Sequence, residues 1–478
     1  MKIKHSPLFF AILLFGLLYR ALFLFEPIRD DEGYTILNLA PKSIQTIRSD
    51  YSTSGNHVLY SILTHYTFKI FGTSRMKMAV RLPALISGLL IIYLTYVLAV
   101  LWTEEYAVAY LSAFLVAASL YNVFYSVNGR GYTLQTVWVL VLTILCFSLP
   151  EAGPISPLQM ALIAFLEPLI PYTIPSGIIF VIPFHIWLLF WWRRRAPATW
   201  ARHFAYTSLG AFLVGLLLIA PLLHDVHVRG SSSPELSVFG ELLHRVCEGL
   251  LPLPVFFTLL FVGLKRHPRA SNFRFFVLMV LVPYSLMAAL LNPIAPWIKF
   301  VTRCYLPLFP FAFIGVSCGI AYLFRWRPSA RWAQRAICAG IILILLEWPA
   351  SAAYTVSRNP ALLYFPQRPI LLRCEQLIPA LSRTLKPGER VAGCSFYTDL
   401  GAAFYVTNTL GFHGFYSLYK LDQFRINRLF LIAETAQAAE ETCKSLGTTA
   451  WSPPVLLIHD PPIDIYVTRR LRSREDNS

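Results

Sequence analysis

Three consecutive acids, Asp30, Asp31 and Glu32, lie between Arg29 and Gly33-Tyr34 in a 478-residue chain that holds only 25 acidic residues. Clustered carboxylates suit proton transfer. One held against a hydroxyl takes its proton as the oxygen attacks, typically worth about 10²- to 10⁴-fold in rate. The plainer reading of such a cluster is solvated loop charge. A second set of residues carries the opposite sign: Arg130, in Asn128-Gly129-Arg130-Gly131-Tyr132, and Lys299 with Arg303 further on. Arginine grips phosphate with two parallel donors and stays charged at every relevant pH. Arg130 with Tyr132, and Lys299 with Arg303, are therefore candidate phosphate-binding residues.

The elements that must position these residues are those of a membrane protein. The composition is 56% hydrophobic, 15% aromatic and 14% charged, against about 25% charged in ordinary globular proteins. The net charge of +16 comes from basic clusters between apolar runs, the pattern of cytoplasmic loops. No groove of interleaved basic and aromatic residues of the single-strand-binding kind is present, so nucleic acid is not an expected partner. Membrane lipids are.

A span needs about 20 mostly apolar residues. Runs of that kind fall at 8–25, 82–102, 106–125, 132–149, 157–170, 174–192, 204–223, 248–264, 275–291, 302–324 and 337–353. The first lacks a small-residue cleavage site and reads as a span rather than a signal peptide. The fifth is short and contains Glu167. Counting it, with Lys2 and Lys4 inside, puts Arg193–Arg195, Lys265–Arg269 and Arg325–Arg335 inside as well. Omitting it moves all three clusters outside, against the positive-inside tendency. About eleven spans follow, with a cytoplasmic amino terminus. At the outer edge, Arg130 and Tyr132 also fit an interfacial anchor, and Lys299 and Arg303 fit snorkelling side chains.

Residues 26–80 then form a long first outer loop holding the acids, and Val58–Phe71 within it is expected to be an amphipathic helix on the membrane surface. Residues 1–353 make the membrane domain and 354–478 a soluble, extracytoplasmic α/β domain. In that tail Glu389–Phe396 and Pro454–His459 read as strands and Leu421–Leu446 as helix. None of the eight cysteines forms a CxxC pair, so a zinc or redox motif has no support. One disulfide among Cys374, Cys394 and Cys443 is open. So is a divalent metal, since Glu32, His57 and Asp50 could converge, although their spacing matches no defined ligand pattern. Arg20, Glu167, His185 and Glu347 are ionisable residues within apolar runs and need a partner or an interface. Arg20 is a support residue, with Asp30 or Glu32 as a conceivable partner.

The motifs "RDDEGYT", "GNHVLYSILTHYTFKIFG", "RLPALISG", "NGRGYTL" at 128–134, "YTIPS" at 172–176 and "RCYLPLFPF" at 303–311 run in order through roughly residues 1–325. Together they resemble the lipid-dependent membrane glycosyltransferases of GT-C fold, in particular the protein O-mannosyltransferase and aminoarabinose-transferase superfamily (glycosyltransferase family 39-like). By that resemblance the acidic pair is Asp31-Glu32, with Asp31 the catalytic base and Asp30 an extra neighbouring acid. Arg130, two residues before Tyr132, would contact the carrier phosphate. His57 matches the family's histidine, followed here by Val58 where the family usually has proline. His57 and Tyr34 stand as substrate-binding candidates.

The implied fold is an α-helical polytopic membrane protein of GT-C type with a C-terminal soluble α/β domain, placed in the plasma (inner) membrane. The implied reaction moves a hexosyl or pentosyl group from a polyprenyl-phosphate sugar donor to a glycan, lipid or protein acceptor on the extracytoplasmic side, and direct attack inverts the anomeric centre. A phosphate leaving group departs as an anion, so one carboxylate suffices, in contrast to the pair a glycosidase uses. A membrane ligase using a diphosphate-linked glycan, a secondary transporter and a non-catalytic scaffold are the alternatives. The transporter lacks the expected repeated halves with interrupted helices, and a scaffold would be indifferent to Asp31 and Arg130.

Overall fold

The computed structural model describes residues 6–50, 56–149, 156–193, 253–266, 302–325, 368–384, 389–393, 428–433, 435–445, 455–460 and 463–469, with scattered residues at 206–218, 274–284, 332–343, 405 and 452–454. The chain divides into two compact units. Unit 1 is Met1–Leu24, Ser43–Leu63 and Arg81–Tyr354, and unit 2 is Phe25–Lys42, Thr64–Val80 and Thr355–Ser478.

Unit 1 is a helical bundle. Its first helix, α1 (Pro7–Ala21), buries Phe9, Ile12, Gly16, Tyr19 and Arg20 and exposes Leu8, Phe10, Leu14 and Leu18. A helix apolar on both faces, with the outer one bare, is what a lipid-facing span requires. Residues 26–80 hold α2 (Asp30–Tyr34) and a wide π-turn over Thr35–Leu39, both in unit 2, then α3 (Ile44–Ser49) and α4 (Val58–Phe71). The expected helix at Val58–Phe71 is therefore present. The long helix α5 (Met76–Thr103) starts before its expected span.

The expected span at 106–125 is two helices, α6 (Tyr106–Ala118) and α7 (Leu120–Ser126), bent by 62° at Ser119. The Ser119 side chain caps α7 by accepting the Asn122 N–H, and Arg20 supports the end of α6. Its Nη1 donates to the Ala117 carbonyl at 3.2 Å and to Gly16 at 3.0 Å, placing a cation at the negative end of that helix dipole. Backbone carbonyls thus serve Arg20. Arg81 donates to the Leu24 carbonyl, three residues after α1, at 2.7 Å.

Then follow α8 (Tyr132–Phe147), α9 (Pro157–Thr173) and α10 (Ile178–Arg193). Ser156 and Gln159 form a reciprocal capping box that starts α9, so the fifth apolar run is a helix in spite of its length. Glu167 of α9 and His185 of α10, read separately from the sequence, pair with each other. Helices α11 (Leu253–Arg266) and α12 (Leu308–Arg325) pack backbone to backbone. A methyl group added at Gly263 would lie 2.0 Å from the Gly315 carbonyl oxygen, and one at Gly319 would lie 2.0 Å from that of Leu259. Small residues permit this approach, and close packing drives helix association where lipid supplies no hydrophobic force. Trp102, Phe147, Trp187, Phe276 and Phe311 form an aromatic centre.

Among the described residues two helices, α5 and α12, are long and apolar enough to cross a membrane, or three with the bent α6–α7 pair. Several other apolar helices are shorter, Pro7–Ala21 and Tyr132–Phe147 among them. The expected span at 302–324 begins late, because Thr302–Tyr305 is a 3₁₀ turn before α12.

Among the described residues unit 2 contains one sheet in the order β1 (Glu389–Gly393), β2 (Arg428–Ala433), β4 (Ile463–Arg469), β3 (Val455–Asp460), with β1 parallel to β2 and the other pairs antiparallel. Helices α13 (Arg368–Thr384) and α14 (Ala436–Ser445) accompany it. The expected helix over 421–446 is corrected: residues 428–433 are β2, and helix begins at Ala436. A strand buried on both faces is a continuous apolar run, which periodicity does not separate from a buried helix. The core joins Ile28, Ile36, Met76 and Val80 to Cys374, Ile378, Tyr405, Phe430 and Ile465 of the tail. Cys374 and Cys443 are buried thiols. Cys394 lies outside the described residues.

Candidate functional site

In unit 1 the site is built around His57. Asn56 fixes the approach. Its Nδ2 donates to the Ile47 and Asp50 carbonyls at 2.7 and 2.8 Å, closing the end of α3, and its Oδ1 accepts from Ser61 in the first turn of α4. His57 is thereby held at the threshold of α4. The Gly131 N–H donates to His57 Nδ1 at 2.9 Å, and Arg130 Nη2 lies 3.2 Å from His57 Nε2. Gly131 belongs in this position because an added methyl group would meet His57 Cβ and Nδ1 at 3.2 Å.

The protonation logic follows from the donors. A nitrogen that accepts from a backbone N–H has no proton, so in the neutral ring the proton sits on Nε2. Nε2–H and the Arg130 guanidinium are then two adjacent donors, 3.2 Å apart, and one anionic oxygen set beside them can accept from both. Burial first, then the charges of Arg130 and Arg303, hold the His57 pKa well below its ordinary value, so the ring is neutral. Tyr132 completes the group. Its ring lies 4.9 Å from that of His57 and 5.5 Å from the Arg303 guanidinium carbon, while Tyr125 packs edge-on at 5.3 Å. Arg130 is buried and Arg303 half-buried. The structure thus brings together His57, Arg130, Tyr132 and Arg303. Lys299 lies outside the described residues.

In unit 2 the acids occupy α2. Glu32 is fully buried, and its Oε2 accepts the Arg29 N–H at 3.0 Å. It reaches back over the first turn as a helix cap does. Asp31 is half-buried, with its backbone carbonyl taken by Thr35 Oγ1 at 3.0 Å. Tyr34 closes the helix, half-buried, and Asp30 opens it. Glu32 therefore has a structural task at the start of α2. Among the described residues no three His, Cys, Asp or Glu side chains could hold a metal ion, Glu32, His57 and Asp50 included.

Sequence reasoning missed Asn56 and the Gly131 N–H. The first carried a signal, since asparagine just before a helix is a preferred capping residue. The second is a backbone group and carried none.

Solved structures resemble the whole chain. ArnT from Cupriavidus metallidurans in the apo state matches with a TM-score of 0.57 at 14% identity, covering 96% of this chain and 97% of that one. The same protein bound to undecaprenyl phosphate matches at 0.51 and 16%, with the same coverage. The archaeal oligosaccharyltransferase AglB from Archaeoglobus fulgidus, in complex with an inhibitory peptide and a dolichol-phosphate, matches at 0.51 and 9%, covering 98% of this chain and 74% of that one. This chain has the GT-C fold. Its likeness is one of architecture. No family model matches the chain, and no curated protein does. The GT-C assignment agrees with the expectation drawn from the motifs, and with the apolar helices it makes the chain a membrane protein.

Proposed function

We propose that this protein is a glycosyltransferase that moves a sugar from a polyprenyl-phosphate donor to an acceptor hydroxyl on the extracytoplasmic side of the membrane. The observation that carries the reading is the donor pair at His57 and Arg130, with Arg303 beside it across Tyr132. Such a group fits a phosphate oxygen, and GT-C neighbours are seen with undecaprenyl phosphate and dolichol-phosphate bound.

In the proposed step Asp31 accepts the acceptor's O–H proton as its oxygen attacks C1 of the sugar. The bond from C1 to the phosphate oxygen breaks, and the electron pair leaves with the lipid phosphate. The phosphate gains a negative charge as it departs. Arg130, Arg303 and the His57 Nε2–H therefore bind the departing group more strongly than the intact diester, which is the condition for rate enhancement. Attack opposite the phosphate inverts the anomeric centre. The proposal includes a cytoplasmic amino terminus, about eleven spans, α4 lying along the membrane surface, and an extracytoplasmic domain from residue 354.

Sugar transfer in detergent from radiolabelled polyprenyl-phosphate donors tests this reading. Inverted product from the wild type supports it. Retained stereochemistry removes direct displacement, and transfer only from diphosphate-linked glycans shifts the assignment to a ligase.

A further inference from the structure

The turn that bears the acids is tied to the tail by a chain of four polar contacts, all within unit 2. Tyr405 Oη accepts the Ile28 N–H at 3.3 Å and donates to Glu375 Oε2 at 3.3 Å. Glu375 Oε1 pairs with Lys77 Nζ at 2.5 Å, and Lys77 Nζ donates to the Phe25 carbonyl at 3.1 Å. Tyr405 uses its single proton and one lone pair, and the Glu375 carboxylate accepts from Tyr405 on one side and from Lys77 on the other. Both ends grip the backbone of Phe25–Ile28, and Asp30 begins α2 two residues later.

The surroundings make these contacts count. Ile28 and Tyr405 are almost wholly buried, in a core that also holds Ile36, Met76, Val80 and Cys374. A buried N–H deprived of its acceptor carries its full desolvation cost. An unsatisfied Ile28 N–H is relieved most directly by movement of the Phe25–Ile28 segment, and α2 follows that segment. Glu375 sits on α13 next to Cys374, so the tail's helix is part of the same clasp.

We propose that Tyr405, Glu375 and Lys77 are positioning residues that hold the Asp30–Tyr34 turn, so that residues of the tail set the geometry of the base. This rests on the reading of Asp31 as the base. It gives the tail a direct part in the rate of transfer, in addition to any part in acceptor choice.

The test is steady-state transfer by the full chain in detergent for the wild type, Tyr405→Phe, Lys77→Met, Lys77→Arg, Asp31→Asn and the Tyr405→Phe/Asp31→Asn pair. Binding of undecaprenyl phosphate, as stoichiometry and Kd, counts the folded molecules. Tyr405→Phe is expected to lower kcat per phosphate-binding molecule by about three- to tenfold, the worth of one hydrogen bond, with that Kd unchanged. Lys77→Met falls likewise, and Lys77→Arg recovers much of the loss. In the Asp31→Asn background, Tyr405→Phe adds no further loss, because the two act through one group. A merely structural role would lower phosphate binding and rate together in both backgrounds. Wild-type rates in Tyr405→Phe and Lys77→Met, with Asp31→Asn slowed at least about 100-fold, overturn the inference and leave the function standing. No transfer by the wild type from any donor overturns both.

Discussion

Gly131 donates its backbone N–H to Nδ1 of His57 at 2.9 Å. This one bond fixes which face of the imidazole carries the proton. It turns a histidine beside two arginines into a neutral donor that adds a directed N–H without adding charge.

The pH dependence of stability follows from that environment. An unfolded histidine titrates near about 6.5, and the folded His57 pKa lies well below its ordinary value. Between the two values the unfolded chain binds more protons, so stability rises with pH across that window. The contribution of His57 is full above about pH 6.5 and is lost as the pH falls toward the folded value. Melting temperature in detergent should therefore drop on acidification below that point, and less so in His57→Asn. An equal drop in both would remove His57 as the source.

Arg130→Lys should weaken undecaprenyl phosphate binding by about ten- to a hundredfold, the range for a hydrogen bond to a charged group. Lysine keeps the charge and loses the planar fork. A titration in which Arg130→Lys matches the wild type would assign Arg130 to anchoring at the interface.

The acids of α2 should separate by substitution. Glu32→Gln keeps an oxygen that accepts the Arg29 N–H and should retain transfer to within tenfold, while Glu32→Ala removes the cap at a cost of about 1 kcal/mol and lowers the melting temperature. Loss of transfer in a fully folded Glu32→Gln would make Glu32 the base in place of Asp31.

Packing of α11 on α12 gives a prediction about the bundle alone. Gly319→Ala places a methyl group 2.0 Å from the Leu259 carbonyl oxygen, which forces the helices apart. Overpacking of this kind costs about 1–3 kcal/mol. The melting temperature should fall by a few degrees. An unchanged value would mean that the helices do not approach this closely.

The sequence announced the elements whose physics is local. Val58–Phe71 shows helical spacing and folds as a helix with those bounds, and the polar run around Arg130 marked the junction before α8. Where tertiary packing decides, the sequence was mute or misleading. The strand at Arg428–Ala433 reads equally as helix until its two neighbours are known. The bend at Ser119 needs Arg20, 99 positions away in the chain, to support the exposed carbonyls. Nothing in the residue types of Asp30-Asp31-Glu32 says which side chain turns back to cap the helix. His57 was named as a residue, but its tautomer depends on a glycine N–H 74 residues on.

The central claim is that Asp31 removes the acceptor's proton, and the most direct measurement compares the wild type with Asp31→Asn in transfer from radiolabelled polyprenyl-phosphate sugars, with undecaprenyl phosphate binding as the measure of folded protein. The account predicts transfer by the wild type and a loss of at least about 100-fold in the mutant, with phosphate binding intact. Equal rates in the two proteins would contradict it.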